Sequence, residues 1–249
     1  MNPILDIKNV QKQFPGCFAL QGVDMTIGQG QIVGLLGPNA SGKTTLLKII
    51  AGLLQPSAGS VYYSTSITEV GITDASTGAC TEARGSIAFC PDYLKFPSWM
   101  RVKDVFKFYK DMYPDYSEAR AEELMGLLEL RPVLTSSVKS LSKGMHERLA
   151  LAATFSRETS LYLLDEPLDG IDPVGKAKVI DTIISMQPDG AATLISTHLV
   201  KDIERILTNV YFLSRGKIVF SGDCDTIREE RNKTIEQAYL EVFINEGSS

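Results

Sequence analysis

Residues 31–50 read QIVGLLGPNASGKTTLLKII. The opening QIVGLLG (Gln31 to Gly37) is a short apolar run closed by glycine, the pattern of a strand buried on both faces. The closing stretch sets Leu46, Leu47, Ile49, Ile50 and Leu53 at helical spacing from Lys43 onward, and Gly52 and Pro56 bracket its end. Between them, Gly37, Pro38, Asn39, Ala40, Ser41, Gly42, Lys43 and Thr44 match G-x-x-x-x-G-K-[ST] without a departure. Glycines let a backbone wrap phosphate oxygens, and the N-terminus of the following helix adds its positive end. Lys43 brings a point charge to β and γ phosphates, Thr44 offers a hydroxyl to Mg2+, and Thr45 continues the cradle. The stretch therefore predicts a nucleotide-phosphate site between a strand and a helix.

Outward from this unit, strands and helices alternate. Ile4 to Val10 and Gly22 to Ile27 read as strands ahead of it, and SIAFC (Ser86 to Cys90) and LYLLDEP (Leu161 to Pro167) as buried strands after it. Ser64 to Ser86 is polar and rich in Ser, Thr and Gly, a loop or a β excursion at the surface. Val102 to about Leu130 is helical, broken at Pro114 and resumed after a Ser117 cap, and Ser142 to Arg157 forms a further long helix. Pro173 to Met186 is helical, ATLIST a strand, Leu199 to Leu207 helical, VYFLSRGKIVFSG a hairpin turned at Arg215-Gly216, and the tail from Cys224 to Asn245 mostly helical. Such alternation predicts an α/β core with a mainly parallel sheet.

The chain has 249 residues, 44% hydrophobic and 22% charged, enough to bury a core without staples. A net charge of −5 argues against a nucleic-acid binder, which needs clustered Lys and Arg. Cys17, Cys80, Cys90 and Cys224 form no CxxC pair and have no His at ligand spacing, so reduced thiols rather than zinc are expected. No apolar run approaches the roughly 20 residues of a membrane helix, and the N-terminus lacks a signal-peptide core. A cytosolic chain is expected, with any membrane contact made through a partner.

In LYLLDEP, four apolar residues deliver two carboxylates to the strand's C-terminal end, where open α/β sheets bind ligands. Asp165 suits Mg2+, directly or through water, and Glu166 suits the attacking water. LSKGMHERLALA, from Leu141, reads alone as an amphipathic helix capped by Ser142.

The phosphate loop, LSKGM, LYLLDEP, GIDP (Gly170 to Pro173) and STHL (Ser196 to Leu199) occur in an order and spacing that resemble the nucleotide-binding subunits of ABC transporters, over nearly the whole chain. LSKGM resembles the family's LSGGQ signature, with Lys143 and Met145 replacing Gly and Gln, in a form similar to bacterial exporter-type subunits. The resemblance implies the P-loop ABC ATPase fold: a core with an N-terminal antiparallel β subdomain (1–90 and 157–222), an inserted helical subdomain (91–156) and a helical tail (223–249). It implies ATP and Mg2+ as ligands, and a dimer in which Ser142 and Gly144 of one subunit meet the γ-phosphate on the other's loop. It makes His198 the switch histidine beside the γ-phosphate and Asp172 the dimer-interface aspartate, which alone reads as a helix N-cap. It places a stacking aromatic for adenine at Phe14, with Phe18 the competitor. His146, the other histidine, is expected to face solvent.

Asp92 stands where the family has Gln; it can ligate Mg2+ but cannot donate a hydrogen bond when ionised. Beyond it, Phe96, Trp99 and Met100 suggest either a groove for the coupling helix of a membrane subunit or packing within the helical subdomain. The resemblance thus implies an ATPase subunit that drives a transmembrane permease, with export suggested by LSKGM and the short tail, located on the inner face of the membrane. The alternative is a non-transport ABC ATPase such as an iron–sulfur assembly factor.

Overall fold

Period-two alternation along the strands sorts the interior of this chain into two layers. A computed structural model describes residues 3–64, 69–74, 83–92, 94 and 96–246. Strands β1 (Leu5–Phe14), β2 (Cys17–Ile27), β4 (Ala58–Ser64) and β5 (Glu69–Asp74) form an antiparallel sheet in the order β2-β1-β4-β5. Strands β3 (Ile32–Leu36), β6 (Ile87–Cys90), β7 (Leu161–Asp165), β8 (Ala192–Thr197), β9 (Asn209–Ser214) and β10 (Lys217–Asp223) form a six-stranded sheet in the order β10-β9-β3-β8-β7-β6. Its neighbours pair in parallel except for the β9–β10 hairpin.

The parallel strands are buried on both faces, as continuous apolar runs require. Val33, Leu35, Leu161, Leu163 and Leu194 join a core shared with the antiparallel sheet and α1 (Lys43–Ile50). Leu36, Leu164 and Ile195 join a second core on the opposite face. That core includes α2 (Val102–Met112), α3 (Glu118–Leu127) and α4 (Lys143–Phe155), which lie in the chain between β6 and β7. It also takes in α5 (Pro173–Met186), the single turn α6 (Val200–Ile203), α7 (Cys224–Arg231) and α8 (Ile235–Glu246). Each fully buried Leu or Ile contributes roughly 1.5–3 kcal/mol. Phe155 and Tyr162 stack at 4.5 Å, tying α4 to β7. Arg157 is buried; it bonds Asp115 at 2.8 Å and the Ile87 carbonyl at 2.8 Å, which fixes the helical block to the sheet edge.

The helix expected over 199–207 is regular for one turn only, Val200–Ile203, and beyond it Leu207 packs over Gly34, where a side chain would stand 2.7 Å from Leu207 Cδ1. Ser117 occupies the N-cap of α3, but its hydroxyl makes no capping bond. The polar stretch 64–86 contains strand β5; residues 65–68 and 75–82, Cys80 among them, lie outside the described residues. Cys17, Cys90 and Cys224 are free thiols, and burial pushes the last two up to about 12. Among the described residues no helix is long and apolar enough to cross a membrane.

Candidate functional site

The C-terminal ends of β3, β7 and β8 converge on one cavity of about 720 Å3. Two glycines shape the loop after β3. Gly42 has φ +111 and a side chain there would stand 2.6 Å from the Ala19 carbonyl; Gly37 likewise abuts the Leu213 carbonyl. Only glycine fits both close approaches. Asn39, Ala40, Ser41, Gly42, Lys43, Thr44 and Thr45 all line the cavity, and α1 starts at Lys43 so that its amides face it. The Gly37 and Pro38 carbonyls accept from the buried Lys43 Nζ at 2.8 and 3.2 Å. Ser41 Oγ is buried with no hydrogen-bond partner.

Lys43 Nζ also lies 3.2 Å from Glu166 Oε1. Glu166 Oε2 lies 3.0 Å from His198 Nδ1 and accepts from the His198 amide at 3.3 Å. The backbone of Glu166 is left-handed at φ +49, an uncommon conformation for a residue with a side chain. Its amide donates to the Ser196 carbonyl at 2.9 Å, which holds it there. Lysine, glutamate and histidine thus form one contiguous chain beside the phosphate loop.

Asp165 is almost fully buried; Oδ1 accepts from the Ser196 hydroxyl, while Oδ2 has no partner. A buried carboxylate oxygen without a donor is costly unless a cation or its water shell satisfies it. With the Thr44 hydroxyl and Asp92 on the same cavity, this fits Mg2+ bound mainly through phosphate and water. Asp92 titrates above the usual carboxylate range, because it is partly buried and faces Asp165, Asp169 and Glu166.

Four of the expected residues lie elsewhere. Ser142 caps α4, accepting from the Met145 amide at 3.3 Å, and with Gly144 it sits outside the cavity its own chain forms. Asp172 caps α5, accepting from the Val174 and Gly175 amides at 3.1 Å each. Phe14 is not among the residues that line the cavity, and Lys12 Nζ sits 5.2 Å over its ring. Phe18 lines the cavity instead, 57% exposed. The β1–β2 hairpin directs the two rings differently, a difference that aromatic identity does not encode.

His146 is partly buried, with its Nε2 2.7 Å from the Leu94 carbonyl and its ring 5.7 Å from Phe96. Met100 is core, Phe96 is partly buried against that core, and Trp99 stands 78% exposed. Asp169 was not singled out in the sequence, yet it lines the cavity and bonds Lys143 at 2.8 Å. Its only signal was its place three residues after Glu166.

The family model for ABC transporters matches residues 20–169, more than half of the chain. The chain belongs to the ABC transporter family. An uncharacterised ABC transporter ATP-binding protein of Bacillus subtilis (strain 168), YdbJ, is 32% identical over 243 residues, covering 96% of this chain and 74% of that protein. The daunorubicin resistance ATP-binding protein DrrA3 of Streptomyces coeruleorubidus is 27% identical, covering 91% and 70%. The solved ATP-binding subunit of an ABC transporter shares the fold with a TM-score of 0.81 at 24% identity, covering 96% of this chain and 99% of that one. A dimeric bacterial ABC transporter cassette, MJ0796, shares it with a TM-score of 0.77 at 24% identity, covering 88% and 98%. This chain is an ABC transporter ATP-binding subunit and an ATPase, with ATP and Mg2+ as its ligands.

Proposed function

We propose that two such subunits close around two MgATP molecules and that the closure drives a separate transmembrane permease, in the direction of export. The observation that carries the two-subunit reading is Gly144. A side chain at Gly144 would meet nothing within 4 Å, so the chain's own packing does not require glycine there. An open space before the capped N-terminus of α4 suits a phosphate brought by another subunit.

In this reading Lys43 and the loop amides from Gly37 to Thr45 hold the phosphates. Thr44 and Asp165 hold Mg2+, with Asp92 beside them, and the metal supplies charge neutralisation at the β and γ phosphates when bound. Glu166 orients the attacking water and takes its proton, and His198 steadies the γ-phosphate and the Glu166 carboxylate. Ser142 and Gly144 of the partner complete the site, with Asp172 at the interface. Phe18 takes the adenine-stacking role in place of Phe14. The rate gain comes from positioning and preorganised electrostatics, with little covalent work.

Residues 91–156 act as the helical subdomain between the core segments 1–90 and 157–222, followed by the tail 223–249. The exposed Trp99, on the segment that follows Asp92, offers an apolar anchor for the permease, which holds the subunit at the inner face of the membrane. Export draws on the LSKGM signature and on a relative named for daunorubicin resistance.

A pull-down of the tagged chain from detergent-solubilised host membranes tests the coupling. A stoichiometric multi-helix membrane protein is expected. Recovery with soluble partners alone would refute the transport reading while leaving the ATPase intact.

A further inference from the structure

The hairpin that joins β9 to β10 turns at Arg215 and Gly216, and both residues line the nucleotide cavity. Two other segments hold this tip in place. The Gly216 amide donates to the Ser41 carbonyl of the phosphate loop at 2.9 Å. The Gly216 carbonyl accepts from the Gln21 amide at 2.8 Å, and the Arg215 carbonyl from Gln21 Nε2 at 2.7 Å. A side chain on Gly216, where φ is +80, would stand 2.7 Å from the Ala19 carbonyl. Arg215 is itself left-handed at φ +45, an uncommon conformation for a residue with a side chain, kept here by these contacts.

Among the described residues that line the cavity, Arg215 and Lys43 are the two that carry a permanent positive charge. Lys43 is already engaged with Glu166 and with two loop carbonyls. Arg215 is exposed and has no carboxylate partner among the described residues. The other charged groups of the wall, Asp92, Glu166 and Asp169, are acidic. A guanidinium is always protonated and only donates, in a planar fork that matches phosphate oxygens.

We propose that Arg215 is a further nucleotide-binding residue whose guanidinium takes the α-phosphate. Lys43 and the start of α1 hold the β and γ phosphates, and Phe18 holds the base. The backbone at Arg215 and Gly216 is bonded to the loop at Ser41 on one side and to the Phe18 strand at Gln21 on the other. The α-phosphate is the group of the nucleotide between those two ends. For this placement the proposal rests on the reading of Phe18 as the stacking residue. Hydrolysis leaves the α-phosphate unchanged, so the contact adds affinity equally before and after the reaction and does not accelerate it.

The test is competition for the site without Mg2+. ATP, ADP, AMP and adenosine each displace a fluorescent ADP analogue from wild type, Arg215→Asn and Arg215→Lys. Asparagine tolerates a left-handed backbone, so it removes the charge and keeps the turn. Arg215→Asn is expected to weaken ATP, ADP and AMP by one common factor of about tenfold and to leave adenosine unchanged. Arg215→Lys, which keeps the charge, is expected to stay within about threefold of wild type. With Mg2+ present, KM for ATP rises in Arg215→Asn by the same factor, while kcat at saturation stays within about twofold. Unchanged phosphate affinities in Arg215→Asn would overturn the contact. A loss confined to ATP, or one that adenosine shares, would overturn its assignment to the α-phosphate. Phe18→Ala, titrated alongside, tells the two readings apart: full adenosine affinity in that variant would refute the stacking role, whatever Arg215→Asn does.

Discussion

Replacing Gly144 by alanine separates stability from turnover. The position lies in the first turn of α4, φ there is not left-handed, and the added methyl meets nothing within 4 Å. Alanine restricts the unfolded chain and favours helix, so the folded state gains about 0.4–1 kcal/mol. For a chain of this size the thermal midpoint rises by about 1–4 °C. Hydrolysis moves the other way. The methyl projects into the space where the proposed partner phosphate approaches the Gly144 amide, and loss of one preorganised donor costs about 10²–10³ in rate. Calorimetry and a phosphate-release assay on the same preparation read both quantities. A more stable variant with undiminished turnover would refute the assignment of Gly144 to a second subunit's nucleotide. A destabilised variant would show that the glycine serves this chain's own packing after all.

Three other expectations are independent of that one. Phe18→Ala weakens ATP binding by about 1 kcal/mol, roughly fivefold, near the low end for base–aromatic stacking because the ring is open to solvent; Phe14→Ala leaves it unchanged, and titration calorimetry giving the reverse order would restore Phe14. Glu166→Gln keeps the side chain's length but removes the base, so turnover falls by about 10²–10⁴ while an ATP-bound dimer accumulates in light scattering; a normal rate would disprove the base assignment. Glu147 is buried in α4, and burial, then the Asp92 charge, pushes its carboxyl up to about 7 against the opposing pull of Lys143. Its folded pKa exceeds the ordinary 4.5, so ionisation penalises the fold as pH rises from about 4.5 to 7 and the full penalty holds above. Glu147→Gln should therefore raise the midpoint more at pH 8 than at pH 5; an equal gain at both would refute the shift.

Much of this was legible in one dimension because the chemistry is carried by contiguous runs. The phosphate loop needs glycines at fixed offsets between a strand and a helix, and Asp165 and Glu166 need only follow four buried apolar residues. Helix α4 could be read from the Ser142 cap and its apolar spacing. What escaped depends on distant neighbours. Phe14 and Phe18 differ by the register of one hairpin, in which Phe14 pairs with Cys17 and Phe18 with Gln13 across irregular ladder steps. His146 is partly buried against a partner far away in sequence, the Leu94 carbonyl 52 residues earlier. Asp169 acquires meaning only once Lys143 has folded beside it.

The division of the interior by the six-stranded sheet also bears on how this chain can be engineered. Leu35 and Leu36 are adjacent in sequence, yet one packs with the antiparallel layer and the other with the helical block. A library confined to Leu35, Leu46 and Val61 would repack one compartment, and one confined to Leu36, Leu124 and Leu149 the other. Gains selected separately should combine nearly additively wherever the substituted side chains share no packing partner, which leaves the adjacent pair Leu35 and Leu36 as the place where the two libraries would couple. The sheet is then a firewall: the layer that carries the phosphate-loop helix can be stabilised without retuning the layer that carries the signature.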